Sequence, residues 1–142
     1  MLPVINGEFS VVMEPEIRFT SNGSPWAKLR CLAKDRVRDS NGNWADGDPL
    51  FIDVVIGGKQ AQNVVESVSK GDLVTVTGRL KQRNWEEDGA KKATVQISAD
   101  SIGVSTRFEP VRTRRTVESS GTQAAIDVLG ATKVEQPDEA PF

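Results

Sequence analysis

Arg79, Lys81, Arg83 and Trp85 recur at every second position in the segment 70–85, K-G-D-L-V-T-V-T-G-R-L-K-Q-R-N-W. Side chains alternate across a β-strand with a period of two, so these four share one face, following Thr75 and Thr77. Val74, Val76 and Leu80, with Gly78 between them, take the other face. A row of three cations ending in an indole suits no core. It does suit a nucleic-acid strand, which offers phosphates to cations and base planes to aromatic rings. A charge run by itself ordinarily marks a solvated face. Here the pattern recurs over 26–37, where Trp26, Lys28, Arg30, Lys34 and Arg36 share one parity, broken only by Leu32. Ala27, Leu29, Cys31 and Ala33 share the other. A third strand, 50–56, places Ile52, Val54 and Ile56 on one face and Phe51, Asp53 and Val55 on the other, which continues to Gly57. Trp44 stands in a polar loop, 39–49, where so large a ring either packs on its own domain or forms a stacking tip. The candidate strand-binding residues are therefore Trp26, Lys28, Arg30, Lys34, Arg36, Trp44, Phe51, Arg79, Lys81, Arg83 and Trp85.

Other chemistry is poorly supplied. The 142 residues contain no histidine, which removes the commonest general base and metal ligand, and with it any Ser/His or Cys/His pair. The single cysteine, Cys31, lies among Ala27, Leu29 and Ala33, so a buried structural thiol is expected rather than a nucleophile, and no disulfide or cysteine zinc site can form within the chain. A metal-dependent nuclease needs clustered carboxylates, and Asp53 is the sole acid on its strand face. Gly57-Gly58 lacks the Gly-Lys-Ser/Thr ending of a phosphate loop. No catalytic residue, metal or cofactor is expected. No apolar run approaches the roughly 18 residues of a membrane span, and no secretory signal pattern opens the chain. A soluble, cytoplasmic protein is expected.

These strands need a scaffold. Residues 2–13 are apolar and β-prone, with Asn6-Gly7 marking a turn or bulge. Residues 14–19 look like a connector, and 21–25 (S-N-G-S-P) like a turn. Ala61, Val64, Val65 and Val68 repeat at helical spacing over 59–69, with Gly71 placed as a C-capping glycine. Asp88-Gly89 centres a hairpin loop, and the last strand, 93–102, turns Val95, Ile97 and Ala99 toward the core. Three strands, one helix and two strands, in that order, predict an all-β fold: the five-stranded Greek-key barrel called the OB-fold, with the helix between strands 3 and 4. Residues 1–110 form that domain. Residues 111–135 read as a flexible linker containing a basic cluster (Arg112, Arg114, Arg115) and an apolar segment, 124–129; residues 136–142 form an acidic tip. From Glu118 onward there are five acids and one base, against fifteen acids and seventeen bases before it. A slightly basic body with an acidic tail agrees with nucleic-acid contact by the body.

Several stretches resemble the bacterial and bacteriophage single-stranded DNA-binding proteins. They are Glu14-Pro15-Glu16-Ile17-Arg18-Phe19-Thr20 with Asn22-Gly23, Phe51-Ile52-Asp53-Val54-Val55-Ile56-Gly57-Gly58-Lys59-Gln60-Ala61, and the run from Lys70-Gly71-Asp72 through Gly78-Arg79-Leu80 to Trp85. The ending Asp138-Glu139-Ala140-Pro141-Phe142 is similar to that family's acidic, Pro-Phe-terminated tip. The resemblance implies sequence-tolerant coating of single-stranded DNA in replication, recombination and repair. It also implies recruitment of replication and repair proteins through Asp138, Glu139, Pro141 and Phe142, and a homotetramer or, in some branches, a dimer. Phe51 and Trp85 match stacking positions. Gly57 stands where the family often carries an aromatic, the segment from Gly7 to Pro15 is about two residues longer than usual, and the tail is short; these departures point toward a phage or mobile-element member. The location implied is the bacterial or phage-infected cell, at the nucleoid. A replication-restart or recombination accessory on the same fold, acting mainly by protein contact, is the alternative.

Overall fold

The computed structural model describes residues 1–115, of which Met1–Phe108 form one compact unit. Its elements in chain order are β1 (Val4–Val11), β2 (Glu16–Phe19), β3 (Pro25–Ala33), β4 (Arg36–Arg38), β5 (Trp44–Asp46), β6 (Leu50–Gly57), α1 (Lys59–Ser67), β7 (Leu73–Glu87) and β8 (Ala90–Val104). The large sheet runs β1-β7-β8-β6-β3-β2, and β1 also pairs with β3 through Ser10↔Leu32 and Val11↔Cys31. That extra pairing closes β1, β3, β6, β8 and β7 into a barrel. The β6–β8 contact is parallel and every other pairing antiparallel. With the helix between the third and fourth barrel strands, this is the OB-fold expected from the element order.

The core consists of the inward parity of each strand. Ala27, Leu29 and Cys31 from β3, Ile52, Val54 and Ile56 from β6, and Val74 and Val76 from β7 are buried. Phe9 and Val11 from β1 and Ile97 from β8 complete the interior. Ala61, Val64 and Val68 add the apolar side of α1, whose end is not the predicted one. The helix stops at Ser67, and its capping residue Val68 is already extended (φ −112°). Gly71 instead adopts φ +95° in the following turn, where its N–H donates to the Val11 carbonyl at 2.7 Å.

Several sequence expectations are corrected. The strand over 26–37 ends at Ala33, and Arg36–Arg38 pairs separately with Trp44–Asp46 inside what the sequence presents as loop. The expected connector 14–19 contains β2, which pairs with β3 from Glu16↔Lys28 to Phe19↔Pro25. Asn6-Gly7 is neither turn nor bulge: both residues pair regularly with β7, and the Phe9 ring lies 3.2 Å from where a Gly7 Cβ would be. The last strand begins earlier than expected, because the β7–β8 turn is only Asp88-Gly89, both left-handed (φ 51° and 77°). Val95 is 51% exposed rather than inward, since it lies on the hairpin arms beyond the barrel. Farther along β8, Thr77 pairs with Ser101 and Gly78 with Ala99, leaving Asp100 as an extra residue. The insertion moves the inward set from Ile97 and Ala99 to Ile102 and Val104.

Candidate nucleic-acid interface

The outward parity of the sheet builds one continuous surface. Across it, Arg30 on β3 faces Asp53 on β6, which faces Gln96 on β8, which faces Lys81 on β7. The neighbouring rung is Lys28, Val55, Ser98 and Arg79. Period-two alternation then aligns Trp26 with Lys28 and Arg30, and Arg83 and Trp85 with Arg79 and Lys81. A groove of about 260 Å³ crosses this surface, lined by Arg18, Trp26, Lys28, Val55, Gly57, Arg83, Gln96 and Ser98 among others. Aromatic, basic and polar groups from four strands thus meet in one place, over an apolar floor from β6.

Each candidate aromatic carries an arginine. The guanidinium of Arg18 lies 5.8 Å from the Trp26 ring centre, that of Arg30 5.6 Å from Phe51, that of Arg38 5.0 Å from Trp44, and that of Arg83 5.1 Å from Trp85. Such contacts are weakly favourable at exposed sites and orient the ring. Phe51 is 50% exposed and Trp44 59%, so each keeps open surface for a further planar group.

A sequence profile described as the single-strand binding protein family matches residues 9–105. The chain belongs to that family. It is 37% identical over 114 residues to the single-stranded DNA-binding protein of Mycobacterium leprae, covering 79% of this chain and 68% of that one. To the corresponding protein of Corynebacterium glutamicum it is 40% identical over 109 residues, covering 75% of this chain but only 48% of the relative. Among solved structures it resembles the small single-stranded DNA-binding protein from Streptomyces coelicolor, with TM-score 0.63 and 30% identity over 74% of this chain and 95% of that one.

The sequence candidates divide into two groups on this family's fold. Trp26, Lys28, Arg30, Phe51, Arg79, Lys81, Arg83 and Trp85 share the sheet face, with Trp85 out on the hairpin arm. Lys34, Arg36 and Trp44 are set apart. Lys34 donates to Asp46 at 2.8 Å and Arg36 pairs opposite Asp46, both at the β4–β5 hairpin, where Trp44 also lies. The Lys34 ammonium holds the Asp46 carboxyl below its ordinary range, chiefly through that hydrogen bond. Parity within 26–37 suggests one row of cations; the end of β3 at Ala33 makes it two.

Arg18 is a groove residue that the sequence reading missed. Its backbone register, Arg18↔Trp26, exists only because β2 pairs with β3, and its local signal is no more than Glu16 and Arg18 at alternate positions. Gln96 and Ser98 were also missed, since short polar residues on a strand look like solvated ones. Cys31 is fully buried and its thiol is pushed up to about 12, mainly by desolvation and further by the Asp53 carboxylate. That environment matches the expected structural thiol. Among the described residues no three Cys, Asp or Glu side chains converge as a metal site would require. The tip residues Asp138, Glu139, Pro141 and Phe142, and the apolar segment 124–129, lie outside the described residues.

Proposed function

We propose that this chain coats single-stranded DNA with little sequence preference, as a binding protein rather than an enzyme. The supporting observation is the groove in which Trp26 and Arg83, from strands distant in sequence, line one surface with Lys28 and Arg18. Cations there meet phosphates and the rings stack on bases, and only single strands expose base faces to such rings. Phe51, Arg30, Lys81 and Arg79 extend the path across the sheet, and Trp85 extends it along the hairpin arm. Lys34, Arg36 and Trp44 serve a strand that continues past the β4–β5 hairpin. In this reading the protein protects exposed strands during replication, recombination and repair at the nucleoid of a bacterial or infected cell. It acts as a homo-oligomer, with a tetramer favoured over a dimer. Asp138, Glu139, Pro141 and Phe142 recruit replication and repair proteins.

Tryptophan fluorescence during titration with poly-thymidine, at low and high salt and with duplex as control, tests the reading. All three tryptophans belong to the proposed path, so the single strand should quench them and duplex should not. Added salt should weaken the complex as counterions compete for phosphate. Absence of quenching in a folded protein would overturn strand coating.

A further inference from the structure

Asp53 occupies the middle of the basic face, and its surroundings are unlike those of the other acids there. Its side chain is only 18% exposed. One carboxylate oxygen accepts from Arg30 Nη1 at 3.1 Å, and the other lies 3.6 Å from Lys28 Nζ. The register explains the contact: Arg30 is directly opposite Asp53 on the adjacent strand, and Lys28 is two residues along on the same face. The guanidinium of Arg30 also touches the Phe51 ring, so the arginine is held between carboxylate and aromatic. Glu16, the other acid at this side of the sheet, sits on β2 and pairs with Arg18 at 2.9 Å, with both side chains about half exposed.

We propose that Asp53 is an internal counterion for the strand-binding face, occupying Lys28 and Arg30 in the free protein and yielding them to phosphates when a strand binds. The inference rests on the strand-coating function proposed above. Two cations spread on a sheet repel each other and would drift toward solvent; a shared carboxylate keeps both heads on the strand-binding face. It also lowers their net pull on a phosphate, since the strand must displace a carboxylate that is then left partly desolvated. Salt dependence counts the phosphates that protein cations neutralise, each releasing counterions condensed on the strand, and a cation still facing a protein carboxylate neutralises its phosphate less fully. Asp53 is in this sense a positioning residue that tempers affinity.

The test compares the full-length chain with Asp53→Asn, an isosteric change that keeps a hydrogen-bond acceptor for Arg30. Both are titrated with poly-thymidine over roughly a tenfold range of salt. Glu66→Gln on the exposed side of α1 makes the same change in net charge away from the face. Asp53→Asn should bind several-fold tighter at low salt. Its slope of log affinity against log salt should steepen by up to about 0.7 for each of the two freed cations. Glu66→Gln should follow the parent protein. In addition, Arg30→Gln should lose more affinity in the Asp53→Asn background than in the parent, because there no carboxylate competes with phosphate for the arginine. Circular dichroism of each variant establishes folding, and Asp53→Ser replaces Asp53→Asn should the latter fail to fold. Equal slopes and equal Arg30→Gln losses, with the parent protein binding normally, would overturn the counterion role and leave strand coating intact. Failure of the parent itself to bind poly-thymidine would overturn both.

Discussion

Trp26 lies directly across the β3–β6 ladder from Gly57, and a Cβ at Gly57 would meet nothing within 4 Å. The indole therefore stands beside open space at Gly57, the position where the resemblance implies that related proteins often carry an aromatic. Trp26→Ala should weaken poly-thymidine binding by about 1–3 kcal/mol, the range for losing one stacked base. Gly57→Phe should tighten it by adding a plane in the open space. Equal affinities in a fluorescence-anisotropy titration would remove this pair from the binding path.

Trp85 offers a contrasting case, because the hairpin arm that carries it lies outside the buried core. Its ring packs against Arg83 and its strand partner is Lys92. Trp85→Ala should lower strand affinity by a similar amount, about 1–3 kcal/mol, with an unchanged melting temperature. A fall in melting temperature instead would make the ring a structural one.

Gly78 is required by close approach rather than by backbone conformation. A Cβ there would overlap the Ser98 carbonyl oxygen and lie 2.7 Å from Ala99 Cα, where β8 carries its extra residue. Neither obstacle is a flexible side-chain end. Gly78→Ala should therefore destabilise the domain by about 1–3 kcal/mol, as overpacking of a tight interior does. Urea denaturation at constant slope would measure it, and an unchanged midpoint would show that the strands separate freely at this point.

Cys31 should resist thiol reagents in the native state at neutral pH and react after denaturation. Burial is the main cause that pushes its thiol up from an ordinary 9.0 to about 12 in the folded chain. The unfolded chain thus loses this proton first as pH rises. Stability from this group is complete below about 9 and declines as pH climbs toward about 12. Rapid modification of native protein at neutral pH would contradict the buried placement.

Deletion of Pro141-Phe142 should leave poly-thymidine affinity nearly unchanged while abolishing capture of replication and repair proteins from a host lysate. Recovery of the same partners by the shortened chain would remove the tip from recruitment.

Much of the candidate face was legible because strand parity is a local property. Val74 and Val76 inward with Arg79, Lys81 and Arg83 outward needs only a period of two, and the structure keeps that division. Parity carries a reading only as far as the strand stays regular and covered. It failed at Val95, where the arm leaves the barrel, and at Lys34 and Arg36, where the chain turns after Ala33. The extra residue at Asp100 likewise reverses the faces of β8 without a signal in its own sequence.

The sequence by itself determined the order of the five barrel strands, the helix between the third and fourth of them, the inward and outward sets over 26–33, 50–57 and 74–83, and the absence of histidine from the chain. These depend on residue type and near-neighbour spacing. Tertiary structure decided which outward residues meet. Arg18 reaches Trp26 because β2 pairs with β3, Arg83 joins the groove because β8 pairs with both β7 and β6, and Asp53 holds Lys28 and Arg30 because β3 and β6 pair in one register. Register between strands is set by long-range packing of their buried faces, and a shift of one residue would turn every outward side chain inward. No local pattern contains that information.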